Sequence, residues 1–398
     1  MPLKTRIKTS LEWFQLPGAA KAMANADRKG APSIDPGAKW AVEHGLGWLA
    51  RAQDQSASRD GGVARHFSLI QGWSTSYPET TGYIVPTMIH NATDPIANAR
   101  ALRMLDWLVA IQFPDGGFQG GMIHETPCVP VTFNTGQILI GLAAGVVLHE
   151  RFREPMIRAA NWLVATQDAD GAWRRHHSPF ATHDDKSYYT HVAWGLLEAD
   201  AIEPGRGYRE AALANVDWAI TRQSDKGWMA DCCLDNPASP LTHTLGYALR
   251  GFIEAYIACR QPRHLAASIA LADGLLSAVS ENASPTSGVL LGRLDANWRP
   301  ASDWVCLTGA SQIAHCWLKL HQIAPNEAYL RAALAANAFV RRCMSASSTP
   351  DTIGGVKGSF PVDGRYGRWQ FLNWACKFTI DSNREEIATY AMQSALAA

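Results

Sequence analysis

The sequence predicts an all-α fold in which six helical hairpins close into an (α/α)6 toroid. Three observations carry this prediction. A helix ending Trp-to-Gln and followed by a glycine turn recurs along the chain. Amphipathic helical segments alternate with more apolar ones. Each kind occurs six times.

The repeat is clearest at Trp107…Gln112-Phe113-Pro114-Asp115-Gly116-Gly117-Phe118, at Trp162…Gln167…Asp170-Gly171-Ala172-Trp173, and at Trp218…Gln223…Gly227-Trp228. A fourth copy, Trp48…Gln53, has a longer loop before Asp60-Gly61-Gly62. The Trp-to-Gln step is the same in all four. Copies recur roughly every 55–60 residues, a period that signals a repeat architecture. Leu275 and Phe339 replace the Trp in the last two copies, where the Gln is missing.

Outer helices are expected at 37–53, 96–112, 154–167, 207–223, 264–281 and 326–345. In 96–112, Leu102, Leu105, Trp107, Leu108 and Ile111 alternate with Arg100, Arg103 and Asp106. Inner helices are expected at 80–92, 134–148, 189–200, 243–258, 307–321 and 371–381, where Ala, Gly, Ile and Leu dominate. Pro78, Pro130 and Pro240 stand just ahead of three of them. Ring closure removes the exposed ends that an open solenoid must cap. Residues 1–36 read as an N-terminal arm and 37–398 as the toroid. Leu11, Trp13, Phe14 and Leu16 give the arm a short amphipathic piece that packs on the ring.

Lysine plus arginine (36) equals aspartate plus glutamate (36), which argues against binding nucleic acid through phosphate neutralisation. Eight cysteines without a regular framework read as reduced thiols of a cytoplasmic protein. No apolar run approaches a membrane span. No metal or cofactor is expected, and a homodimer is left open. Asp231-Cys232-Cys233 with His243 offers zinc-type ligands, but adjacent cysteines reach one ion with difficulty.

In a toroid the inner-helix N-termini converge at one mouth. Thr135, Thr190 and Thr308 are expected to cap these helices. Capping does not account for Glu79, Gln137, His191, His243, Tyr247, Gln312 and Lys377, which are polar in otherwise apolar helices. Positive helix ends facing one cavity favour an anionic ligand. Aromatic residues crowd the same rim, among them Trp73, Tyr77, Tyr188, Tyr366 and Trp374, and their flat faces suit sugar rings.

The Gln-x-x-Asp-Gly-x-Trp turns, best at Gln112–Phe118 and Gln167–Trp173, resemble the repeats of squalene/oxidosqualene cyclases and protein prenyltransferase subunits over most of 40–380. That resemblance implies an α/α toroid. The cyclase reaction would need an Asp-x-Asp-Asp acid, and the nearest cluster is His183-Asp184-Asp185. Similar toroids occur in polysaccharide lyases, unsaturated-uronyl hydrolases and sugar epimerases. Ser76–Pro86, Tyr188–Leu197 and Gly354–Lys377 resemble bacterial toroid proteins associated with exopolysaccharide or surface-glycan assembly.

The function expected is therefore a carbohydrate-active enzyme that takes the C5 proton of a uronate in a polysaccharide or oligosaccharide, as a C5-epimerase or lyase. Candidate catalytic residues are His243, Tyr188, Glu79, His191, Tyr247 and Tyr366. Candidate substrate-binding residues are Asn134, Gln137, Arg250, Gln312, Lys377, Asn373, Trp73, Tyr77, Trp194 and Trp374. The alternatives are a glycoside hydrolase pairing Glu79 with Asp184, Asp185, Asp303 or Asp363, a terpenoid or prenyl-type enzyme, and a non-catalytic glycan-binding toroid.

Overall fold

A computed structural model describes residues 13–91, 95–281, 289–347 and 349–397. After a short helix α1 (Gly18–Asp27), the described residues form twelve helices in strict outer–inner alternation. The outer set is α2 (Ala38–Asp54), α4 (Pro95–Ile111), α6 (Arg153–Thr166), α8 (Tyr208–Ile220), α10 (Pro262–Glu281) and α12 (Glu327–Cys343). The inner set is α3 (Pro78–His90), α5 (Thr132–Leu148), α7 (Thr190–Ile202), α9 (Thr242–Cys259), α11 (Leu307–Ile323) and α13 (Asn373–Ala397). Each inner helix packs on the next, and α13 packs on both α2 and α3, which closes the (α/α)6 toroid. The last inner helix runs well past the expected residue 381.

The repeat residues hold neighbouring hairpins together. The Gln167 Nε2 donates to Gly171 O (3.0 Å) and to Ala211 O (2.9 Å) in the first turn of α8. Gln112 does the same to Gly116 O and Pro155 O, both at 3.0 Å. Gln53 reaches Gly61 O and Arg100 O, and Gln223 reaches Gly227 O and Ala267 O. One amide thus ties its own turn to the next outer helix. The turn glycine is required on two counts. Gly171 has φ +91°, and a Cβ there would lie 2.4 Å from Ala214 O. At the seam of the ring, Trp48 Nε1 donates to Asp351 O (2.9 Å), and a Cβ on Gly354 would lie 2.1 Å from His44 O.

The inner helices approach closely through small residues: a Cβ on Gly141 would sit 2.2 Å from Gly82 O. Their expected threonine caps are not made. Val131 and Tyr189 hold the cap positions of α5 and α7 without a side-chain bond. Thr135 lies one turn inside, where its hydroxyl donates to Val131 O (2.9 Å) and accepts from Phe118 N (3.0 Å). It therefore clasps the glycine turn to the inner helix. Thr190 donates to Ala248 O on α9, Thr308 Oγ1 has no partner, and Cys306 Sγ caps α11.

Five short strands lie at the mouth. β1 (His66–Ser68) pairs antiparallel with β2 (Gly72–Trp73) and with β5 (Gln370–Leu372), so first and last hairpins are also joined by a sheet. β3 (Val305–Cys306) pairs with β4 (Ser359–Phe360). The arm docks on this region: Ala20 and Ala24 pack with Val362 and Trp369, and Asp27 accepts from Lys357 Nζ (2.6 Å) and Val362 N (2.8 Å). Leu11 lies outside the described residues. Among the described residues, no helix is long and apolar enough to cross a membrane.

Gly171→Ala should destabilise the fold by roughly 2–4 kcal/mol, through backbone strain plus collision with α8. Gly205→Ala is the control. Its φ is +82° but nothing lies within 4 Å, so it should cost only about 1–2 kcal/mol. Equal losses in urea melts would show that docking of the turn contributes nothing.

Candidate functional site

The starts of the inner helices surround a cavity of about 470 Å³. Tyr77, Glu79 and Tyr83 enter it from α3 and its cap, Phe133 and Asn134 from α5, Tyr188 and Tyr189 from the turn before α7, His243 and Tyr247 from α9, and Trp374 from α13. Loops add Arg65, Glu125 and Tyr366. Of the residues expected from sequence, Glu79, Tyr188, His243, Tyr247, Tyr366, Asn134, Tyr77 and Trp374 are brought together here.

Three more stand behind the wall. Gln312 Oε1 lies 2.5 Å from His243 Nδ1, and Gln137 Oε1 lies 2.6 Å from His191 Nδ1. His191 is fully buried and edge-on to Tyr247, with ring centroids 4.5 Å apart. Gln137, His191 and Gln312 therefore orient lining residues instead of lining the cavity themselves.

Five expected residues belong elsewhere. Arg250, Lys377 and Trp194 face a second basin, of about 580 Å³, at the opposite end of the ring. Arg250 and Lys377 come three residues after the mouth residues Tyr247 and Trp374 on the same helices, a shift of about 4.5 Å along the axis. There Arg250 stacks on Trp194 and pairs with Glu254, and Lys377 pairs with Asp381. Asn373 is structural: its Nδ2 donates to Ala64 O (2.9 Å) and Thr80 Oγ1 (2.7 Å). Trp73 packs on Trp48 and Phe67, with its Nε1 on Asp351. The carboxylates proposed to partner Glu79 are also absent from the cavity. Asp185 is held by Arg174 and Arg222, and Asp363 by Arg28. Cys232 and Cys233 are free and buried, and no metal-ligand cluster of three occurs among the described residues.

The site's electrostatics follow from burial. Burial pushes the Glu79 carboxyl from 4.5 up to about 7, against the opposing pull of the Tyr77 hydroxyl (2.8 Å) and of Arg65. The His243 imidazole is driven down to about 4 by the same desolvation, so it is neutral near pH 7. An amide oxygen only accepts, so the Gln312 bond assigns the proton to Nδ1 and leaves Nε2 a lone pair. Burial holds the Tyr188 and Tyr247 phenols well above their usual value, which makes them neutral donors. Asn134 Nδ2 is a buried donor at the cavity wall, beside the Tyr77 phenol.

Arg65 is the residue that sequence reasoning missed. Its guanidinium lies over the Trp374 ring (5.0 Å) and the Tyr77 ring (5.9 Å), its Nη1 meets His66 Nδ1 at 3.1 Å and Gln370 Oε1 at 3.4 Å, and its charge acts on Glu79. Aligning the copies on their Asp-Gly turns puts Arg65 in register with Gly120 and Arg175, so no shared pattern marks it. Glu125 was missed likewise; it sits in an irregular loop whose Met122 N donates to its Oε2 at 2.7 Å.

Glu79 has a folded-state pKa above its unfolded one, so its stability contribution is present below about pH 4.5 and lost as pH rises through about 7. Glu79→Gln removes that loss. It should be more stable than the parent by on the order of 3 kcal/mol at about pH 8, with the gap closing near about pH 4. A gap in denaturant midpoint that does not change with pH would contradict this account.

A fold comparison places the chain among solved toroids. It matches the unsaturated glucuronyl hydrolase of Bacillus sp. GL1 at 14% identity and TM-score 0.68, covering 87% of this chain and 96% of that one. D-mannose isomerase matches at 12% identity and TM-score 0.69, over 90% and 99%. Cellobiose 2-epimerase of Bacillus thermoamylovorans matches at 9% identity and TM-score 0.66, over 92% and 99%. At such identities the likeness shows the fold alone. No curated protein matches the sequence. One family model does match, that of the squalene-hopene cyclase C-terminal domain, over residues 40–256. With the Gln–Gly turn ties and the closed ring already seen, the chain belongs to the squalene-hopene cyclase C-terminal domain family.

Proposed function

We propose that the mouth binds a uronate-bearing glycan and moves the proton at C5, as an epimerase or lyase. The observation that carries this reading is that Glu79, poised at about 7, and neutral His243 line one cavity that also holds the cation Arg65. A proton α to a carboxylate is acidic enough to remove only when the carboxylate's charge is met. Arg65 supplies that charge, and the positive ends of the inner helices add to it. Glu79 belongs to the first inner helix and His243 to the fourth, so the two proton carriers approach from opposite sides of the ring. That arrangement suits removal on one face and return on the other. Tyr188, Tyr247 and Asn134 offer donors to sugar hydroxyls, while Trp374 and Phe133 offer flat faces. The toroids named above include proteins titled as acting on sugars. Squalene-type cyclisation has no support, because the cavity lacks an Asp-x-Asp-Asp acid.

Glycoside hydrolysis is the second reading, favoured by one observation: Glu125 is a second carboxylate on the same cavity. The two readings separate cleanly. Incubated with uronate oligosaccharides in deuterated water, the protein should place deuterium at C5 or release an unsaturated, ultraviolet-absorbing end. Glu79→Gln should cut kcat by about 10²–10⁴. Arg65→Ala should slow turnover on uronates and spare binding of neutral sugars. Glu125→Gln should leave turnover intact. New reducing ends without C5 exchange, abolished by Glu125→Gln, would instead establish the hydrolase.

A further inference from the structure

Far from the mouth, on the outer side of the ring, three side chains form a chain that the proposed reaction does not use. Cys259, the last residue of α9, places its Sγ 3.2 Å from His264 Nδ1. His264 Nε2 lies 3.0 Å from Asp217 Oδ1 on α8. The order is thiol, imidazole, carboxylate. The imidazole is fully buried, while the thiol is partly exposed.

Local structure fixes this geometry. Arg260 takes a left-handed conformation (φ +56°) directly after Cys259 and turns the chain into α10. His264 then falls in the first turn of α10, beneath the end of α9. Asp217 is clamped from its other side by Arg263, at 2.7 and 2.9 Å. Burial alone would raise the Asp217 carboxyl, but the Arg263 and His264 bonds outweigh it and hold it below its usual range. The ionised carboxylate can only accept, so it draws the imidazole proton to Nε2 and turns the Nδ1 lone pair toward sulfur. The guanidinium groups of Arg209 and Arg263 lie near enough to interact with a charge on Cys259.

The other thiols differ. Cys232, Cys233, Cys306, Cys316, Cys343 and Cys376 are buried. Cys128 is exposed, but its hydrogen-bond partner is Gln119 Oε1, which cannot take a proton. Only Cys259, among the described residues, joins access to solvent with an imidazole in proton-transfer reach.

We propose that Cys259 is a nucleophilic modification site that exchanges with low-molecular-weight disulfides of the glutathione class. His264 Nδ1 takes the thiol proton as Sγ attacks one sulfur of the disulfide. The protein–small-molecule S–S bond forms, the original S–S bond breaks, and the released thiolate takes the proton back from His264. Cys259 is oxidised and the departing sulfur is reduced, so the disulfide itself is the two-electron oxidant. The competing arrangement is also visible: Ala255 O lies 3.0 Å from Cys259 Sγ. A thiol that spends its proton on that carbonyl is an ordinary helix cysteine.

The test is residue-resolved mass spectrometry of the intact protein exposed to oxidised glutathione near neutral pH, with Cys128 as internal reference. Cys259 should acquire the mixed disulfide about tenfold faster than Cys128, despite its lower exposure. His264→Asn and Asp217→Asn should each slow Cys259 several-fold or more and leave Cys128 unchanged. Labelling of the six buried thiols would reveal a misfolded variant, and Asp217→Asn, which keeps size and buried imidazole, then gives the answer. Cys259 reacting no faster than Cys128, or at the same rate in folded Asp217→Asn, overturns the proposal.

Discussion

A side-chain amide with two carbonyl partners is the constraint on which this ring depends. Each repeat glutamine donates one N–H to its own glycine turn and one to the next outer helix. Helices alone fix the spacing of neighbours only loosely, since ridges slide in grooves. A half-buried amide with both hydrogens satisfied favours a single register, because displacing it breaks two hydrogen bonds worth about 0.5–1.5 kcal/mol each. The missing Cβ of the glycine lets that turn approach the neighbouring backbone. Register is set this way at Gln53, Gln112, Gln167 and Gln223, and the seam at Trp48 and Gly354 joins the last turn to the first outer helix.

With the outer helices so fixed, the inner helices present their first turns to a common hollow. A group such as Glu79 is costly there: it is 8% exposed. The fold tolerates it because the Tyr77 hydroxyl and the Arg65 charge offset part of the desolvation. The same burial lowers His243 to about 4 and raises Glu79 to about 7, which reverses the ordinary order of the two groups. One environment thus shifts both groups, in opposite directions.

The repeat turns and the alternation of apolar and amphipathic segments made the twelve helices legible to within about three residues at each end, except for the C-terminal end of α13. Periodicity reports which face is buried, and these helices follow it. The mouth was half legible. Glu79, His243 and Tyr247 declared themselves as polar or phenolic positions at helix starts. Lys377 and Arg250 share that pattern but sit deeper, and sequence alone does not say where along the axis a cavity ends. Arg65 and Glu125 come from irregular loops, where no period connects position to direction. The threonines misled for a related reason: a hydroxyl one turn inside a helix and a capping hydroxyl look alike in sequence, and only the loop it clasps tells them apart.

The two basins share no lining residue. Between them the hydroxyls of Tyr83 and Tyr247 stand 3.5 Å apart, with Phe378 and His191 packed alongside. This partition gives the mouth a floor of packed aromatic rings. A glycan bound there as proposed would enter and leave by the same opening, with no passage between the two basins.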